Sequence, residues 1–253
     1  MSWFRKRVWL YAVLLGLFTW WSMGKTEFEV SSFQEFSNAY SFIHDRFLPA
    51  SWEILPTLID PILVTLAVAF LGTFIALLIA LPLSFAAAKN TAGNRLFYYF
   101  NRFFLSVLRS VPEIVFGLIF VVVLGLGPFP AVMAILLHNI GVLGKLISEL
   151  IEAADAGPQE AMQSVGAGRR IGNLFSILPQ IWPNVLSHYF YRFEVAIRTS
   201  LILGFIGGGG IGQKLFNDFN SFNYTAVTVE VLLIMLLVII VDLFGAFVRK
   251  RVI

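Results

Sequence analysis

The chain has no cysteine. A disulfide framework, thiol catalysis and a cysteine-ligated metal are therefore excluded. Charge is scarce as well. Only 13% of the 253 residues are charged, against ~25% in an ordinary soluble domain. The three histidines, His44, His138 and His188, are scattered and show no metal-ligand spacing. No G-x-x-x-x-G-K-[ST] run occurs, so there is no P-loop to cradle the phosphates of ATP. The net charge of +3 is small. It fits membrane topology better than nucleic-acid binding.

Apolar residues are abundant, at 58% of the chain with a mean hydropathy of +0.82. A membrane-crossing helix needs roughly 20 mostly apolar residues. Six windows qualify: residues 8–23, 57–88, 105–124, 129–150, 178–206 and 226–248. The sequence therefore predicts an all-α integral membrane protein with about six transmembrane helices. The first window follows Arg5-Lys6-Arg7 and ends in Trp20-Trp21, an interfacial pair. A basic start also suits a signal peptide, but no small-x-small cleavage site follows, so an uncleaved anchor is expected. Pro61, Pro82, Pro112 and Pro183 fall in or at the ends of spans, where neighbouring helices can satisfy the freed backbone groups.

Basic residues set the expected orientation. With six spans, one side collects Arg5, Lys6, Arg7, Lys89, Arg95, Arg102, Lys145, Arg169, Arg170, Arg249, Lys250 and Arg251. The other has Lys25, Arg46 and Lys214, while Arg109, Arg192 and Arg198 lie in or near spans. Twelve against three is a clear positive-inside bias. Both termini and the loop at 152–178 are expected to be cytoplasmic. Residues 1–56 are read as an anchor helix plus an extracytoplasmic amphipathic segment, and 57–253 as the transmembrane domain. Within 27–55, Ser32-Phe33-Gln34-Glu35 resembles a capping box. Phe33, Phe36, Tyr40 and Ile43 then share one helical stripe. A short helix on the outer membrane face and a connector packed on the bundle are both compatible with this pattern.

Ionisable groups inside spans are costly and usually face a cavity or a partner. Glu194 and Arg198 are spaced i, i+4 with the acid first, the order favourable for a helical ion pair. Ser187 and Tyr191 share roughly that face. Arg109 and Glu113 repeat the spacing around Pro112, and His138 and Asn139 lie in the fourth span. Two readings stand for Arg109, Glu113, His138, Glu194 and Arg198: a translocation path or gate, or a structural role as ion pairs within one helix or as polar glue between helices. Gly207-Gly208-Gly209-Gly210-Ile211-Gly212 satisfies G-x-G-x-x-G. It follows a membrane helix and not a strand, so the dinucleotide reading fails. Gly204 and Gly208 fit G-x-x-x-G. A flexible or tightly packed break at the outer membrane edge, built from Gly207, Gly208, Gly209, Gly210 and Gly212, is expected instead.

Between the fourth and fifth spans runs Glu160-Ala161-Met162-Gln163-Ser164-Val165-Gly166, followed after nine residues by Ser176-Ile177-Leu178-Pro179. This resembles the E-A-A-x3-G-x9-I-x-L-P loop with which ABC-importer membrane subunits dock onto a separate ATPase. Met162 and Ser176 depart from the pattern, while Glu160, Ala161, Gly166, Leu178 and Pro179 fit it. Glu152-Ala153-Ala154 has the wrong spacing and is treated as a decoy. Arg169 and Arg170 either belong to this docking loop or serve only as topology anchors.

From Thr57 onward a closer likeness emerges. Arg109-Ser110-Val111-Pro112-Glu113-Ile114-Val115, Gly125-Leu126-Gly127-Pro128-Phe129, Leu137 to Lys145, and Arg192-Phe193-Glu194…Arg198…Leu203 to Gly212 are similar to the phosphonate ABC-importer permeases. These are relatives of the methionine-importer permeases. The resemblance implies a type I importer permease fold with a cytoplasmic coupling-helix loop and a homodimeric pore. It implies two separate ATP-binding subunits that hold ATP and Mg, with no cofactor in this chain. It also implies an extracytoplasmic substrate-binding protein, a bacterial inner membrane and its lipid, and no nucleic-acid partner. In that frame ATPase coupling falls to Glu160, Ala161, Gly166, Arg169, Leu178 and Pro179. The cargo would be a phosphonate, phosphite or phosphate. An importer permease for another small solute such as an amino acid stays open, as does an ion-gradient-driven transporter of small anions. An intramembrane enzyme would need a converging acid, base or metal cluster, and none is found.

Overall fold

The computed structural model describes residues 2–28 and 36–252. The expected capping box at Ser32 to Glu35 lies outside the described residues, as do the side chains of Phe36, Arg169 and Arg170. Regular structure among the described residues is helical throughout, without strands. The chain divides into two units, Met1–Pro49 and Ala50–Ile253.

The first unit holds α1 (Ser2–Lys25) and α2 (Phe36–Phe47). Tyr40 and Ile43 are exposed on α2. The second unit begins with a 3-10 turn at Trp52–Ile54 and continues through α3 (Leu55–Ala87), α4 (Arg95–Ser110), α5 (Glu113–Leu124) and α6 (Pro128–Ala153). It then forms α7 (Gly157–Ser164), α8 (Arg169–Ser176), α9 (Leu178–Phe205), α10 (Gly210–Asn220) and α11 (Tyr224–Val252). Prolines open α3, α6, α7 and α9 in their first turns, where a missing N–H costs no helical bond and the fixed φ suits the helix.

The core sits where α3, α6 and α9 pack together. On α3, Ala69, Gly72, Thr73, Ala76, Ala80, Ser84 and Ala87 recur every three to four residues and are all buried. Small side chains at this spacing let helix backbones approach closely, which drives packing where lipid gives no hydrophobic push between helices. A Cβ on Gly72 would lie 2.7 Å from Ile135 Cγ2 of α6. α6 is the most enclosed of the long helices, burying Ala131, Ala134, Ile135, Asn139, Ile140, Leu143, Ile147 and Ile151.

Four helical stretches among the described residues are long and apolar enough to cross a membrane: Trp52–Ala87, Pro128–Ala153, Leu178–Asn220 and Tyr224–Arg251. The expected third span is not one helix. α4 and α5 meet at Val111-Pro112 with a bend of 84°. Proline disfavours helix at the preceding residue, and Val111 is extended. α5 has 12 residues, about 18 Å at 1.5 Å each, short of the ~30 Å hydrocarbon core. The pair makes at most a broken fifth span. The expected first span is helical within α1 but is not among these stretches, its apolar run being interrupted by Trp9, Tyr11, Thr19, Trp20, Trp21 and Ser22. Among the described residues the count is thus four, or five with the bent pair, and the expected six is not confirmed.

Candidate functional site

At the α4–α5 break four helices meet through one polar network. Arg192 on α9 is only 11% exposed at its side chain. Its Nε and Nη2 donate to Asn139 Oδ1 at 2.8 and 2.6 Å, and Nη2 lies 3.5 Å from Glu113 Oε1. Asn139 Nδ2 in turn donates to Thr73 Oγ1 of α3 at 3.1 Å. His138 sets Nε2 3.1 Å from Glu113 Oε1 and Nδ1 3.0 Å from the Val111 carbonyl. That carbonyl is left without a helical partner by the break, so the imidazole holds the corner. Buried polar groups of this kind are costly unless satisfied, and a satisfied network fixes one arrangement. Arg109 lies at the end of α4 beside this corner. It is exposed, and its side chain forms no ion pair among the described residues. The expected Arg109–Glu113 pair is not formed, because the 84° bend turns the two residues onto different helices.

The expected Glu194–Arg198 bridge is also absent. Each residue reaches to α11 instead. Arg198 Nη2 donates to both carboxylate oxygens of Asp242 at 2.7 Å. Glu194 is buried and bonds Arg249. Gly245 allows this, since a Cβ there would overlap the Glu194 carboxylate. Two ion pairs of opposite sense thus clamp α9 to α11. The Arg198–Asp242 pair remains half exposed, at 50% and 44%. On the same side of α9, Asn184, Tyr191, Ile202 and Phe205 are also exposed.

At the far end of α9 the glycine segment makes a tight reversal. Gly207, Gly209 and Gly210 have φ of +94°, +78° and +72°, a region that side chains disfavour. Gly208 N–H donates to Leu203 O at 2.9 Å, Gly127 N–H to Gly207 O at 2.8 Å, and Ile211 N–H to Thr65 Oγ1 at 3.0 Å. Gly212 sits against the Leu201 carbonyl, with no room for a side chain. Of the two expected alternatives, the break is the tightly packed one.

The loop after α6 folds into a helical hairpin. α7 and α8 pack with a Gly172–Met162 approach, and Gln159 Nε2 donates to Asn173 Oδ1 at 2.7 Å. Glu160 and Ala161 are exposed on α7, and Gly166 makes the turn with φ +81°. Val165, Ile171 and Phe175 are exposed apolar side chains on the same hairpin. Ser176, the departure from the motif, is buried and donates to the Gly172 carbonyl at 2.6 Å. Leu178 and Pro179 open α9. Gln180 locks the hairpin to α9: Asp155 N–H donates to its Oε1 at 3.1 Å, and its Nε2 donates to Ser176 O at 2.7 Å. The decoy residue Glu152 serves another purpose, bonding Arg102 at 2.8 Å and Lys89 N–H at 2.9 Å.

Three further ionisable residues stand out among the described residues. Arg192 carries the network and Asp242 the clamp. Glu230 of α11 is fully buried beside Asp218 of α10, with both carboxyl oxygens outside hydrogen-bond geometry. Asp242 and Glu230 are ionisable residues inside a span, the signal that drew attention to Glu194. No group of three or more metal-ligating side chains occurs among the described residues.

The second unit thus combines a broken span, an exposed hairpin joined to the start of α9 and a glycine reversal at the end of that helix. The chain belongs to the family of binding-protein-dependent transport system inner membrane components, matched over residues 80–253. It is 37% identical over 203 residues to the phosphite transport system permease protein PtxC of Stutzerimonas stutzeri, covering 80% of this chain and 74% of that one. It is 39% identical over 160 residues to the phosphate-import permease protein PhnE of Mycolicibacterium smegmatis, covering 63% of this chain but only 30% of that protein. The fold matches the MetNI methionine ABC transporter in inward-facing conformations, with a TM-score of 0.70 at 20% identity over 80% of this chain and 99% of that one. The type I importer permease fold is thereby established, and the chain is a non-enzymatic permease.

Proposed function

We propose that this chain is the membrane-spanning subunit of an ATP-driven importer of a phosphorus oxyanion: phosphonate, phosphite or phosphate. Two copies form the path. Two ATP-binding subunits, which hold ATP and Mg, seat on the α7–α8 hairpins, and a binding protein delivers substrate at the glycine end. Both termini and the hairpin face the cytoplasm. The observation that carries this reading is the exposed hairpin locked by Gln180 onto α9, the helix that bears Arg192, Glu194 and Arg198. The cargo class rests on likeness to the phosphite and phosphate permeases.

Movement of the ATPase would reach α9 as a rigid-body displacement, with Glu160, Ala161, Gly166, Arg169, Leu178 and Pro179 at the joint. In the path, Arg109 and Arg198 supply positive potential to a passing anion, while Glu113 and His138 set the corner. Asp242 neutralises Arg198 and so prevents trapping. A half-exposed ion pair at membrane depth is expensive against lipid, which supports placing this side of α9 toward a water-filled path between two copies. Gly166→Asp tests the joint, since it adds backbone strain and charge at the hairpin tip. The variant should lose co-purification with the ATPase in mild detergent, or hydrolyse ATP without uptake. Retention of the ATPase together with normal uptake would refute the docking role.

A further inference from the structure

We propose that the α3–α4 corner is a binding site for an anionic phospholipid, with the phosphate in a polar pocket and an acyl chain in an adjoining apolar one. The polar pocket, about 420 Å³, is lined by Lys89, Asn94, Arg95, Tyr98 and Tyr99. Neither Lys89 nor Arg95 forms an ion pair with a carboxylate among the described residues. Arg95 stacks over Tyr99 at 5.7 Å. Arg102, about two turns further along α4, is by contrast taken by Glu152 at 2.8 Å. The same Glu152 accepts the Lys89 backbone N–H and so fixes where that lysine starts. Two cations without a carboxylate partner, Arg95 resting on the Tyr99 ring, suit a phosphate oxygen cluster.

The second cavity, about 430 Å³, adjoins the first and shares Gly93 with it. Phe85, Ala86, Phe97 and Leu174 make its wall mainly apolar. A free phosphate has no use for this slot, whereas an amphiphile fills both halves. The setting agrees. α4 carries Arg95, Arg102 and Arg109 along one flank and the exposed Leu96, Phe100 and Phe103 along another, and it bends 84° away from α5. α4 starts beside the end of α6, where Arg102 meets Glu152, and its Leu105 and Leu108 pack further along that helix on Gly144 and Gly141. The basic pocket thus lies at the N-terminal end of α4, and basic pockets between helices at the cytoplasmic surface hold anionic headgroups. Asn173 and Leu174 of the slot belong to α8. A bound chain therefore touches the hairpin, and its effect on ATPase coupling rests on the proposed function. Lipid binding itself does not.

The test is retention of phosphatidylglycerol against phosphatidylcholine by the full-length chain released from mixed-lipid nanodiscs, read by native mass spectrometry. The unmodified chain should keep phosphatidylglycerol preferentially. The double variant Lys89→Gln, Arg95→Gln should bind it about 25-fold more weakly, at about a factor of five for each basic residue near an anionic surface. Gly93→Leu keeps both cations and adds its side chain where a Cβ meets nothing within 4 Å. It should fold normally and lower retention by blocking the junction. Equal retention in all three chains overturns the site. Displacement by inorganic phosphate with unchanged retention in Gly93→Leu assigns the pocket to free phosphate and overturns the lipid.

Discussion

Glu194 and Arg198 lie four residues apart on α9, yet each bonds α11. Spacing along one helix was legible in the sequence; a partner 44 or 55 residues away was not. The i, i+4 gain is only ~0.2–0.5 kcal/mol, so an interhelical carboxylate with better geometry wins. Asp242 and Glu230 were readable by the same criterion that selected Glu194, being ionisable inside an apolar run. Arg192 was visible as a charge near a span, but its bond to Asn139 depends on how α6 and α9 cross. Arg198→Gln should assemble normally but import about ten times more slowly, as expected when a cation facing a passing anion is lost. A native uptake rate across substrate concentrations in that variant would make Arg198 purely structural.

Among elements, the hairpin and the glycine reversal were the most legible. Gly166, Gly207, Gly209 and Gly210 have backbone conformations that side chains oppose, and that demand is written directly in the residue type. The α4–α5 break was only half legible. Pro112 signalled a disturbance, but the apolar run 105–124 continues through it, and hydropathy cannot register an 84° turn. For the α9–α11 clamp the sequence offered interhelical pairing of Glu194 and Arg198 as one reading, but not the helix that answers them. The clamp's buried half should matter most to stability. Arg249→Gln leaves the Glu194 carboxylate buried without its cation, and removing one partner of such a pair costs about 3–5 kcal/mol. Adding Glu194→Gln to that variant should recover much of the loss in a denaturant melt. A double variant no more stable than Arg249→Gln alone would show that the two groups are not coupled.

For the molecule as a whole, composition was enough to read an all-helical membrane protein, while the number of spans was not fixed by it. α1 sits near the threshold because tryptophan, tyrosine and serine dilute its apolar run, and α5 is too short to cross by itself. Orientation rests on the twelve-to-three division of basic residues. The chain's lack of cysteine makes that testable. A single Gly168→Cys should resist an impermeant thiol reagent added to intact cells and react once the membrane is opened. Labelling from outside would invert the topology. The central claim is ATP-driven import, and its most direct test is uptake of labelled phosphite or phosphonate into proteoliposomes holding this chain with its ATPase, facing a loaded binding protein. Uptake should need internal ATP and the binding protein and survive ionophores that collapse proton and sodium gradients. Uptake that proceeds without the ATPase and stops when those gradients are collapsed would contradict it.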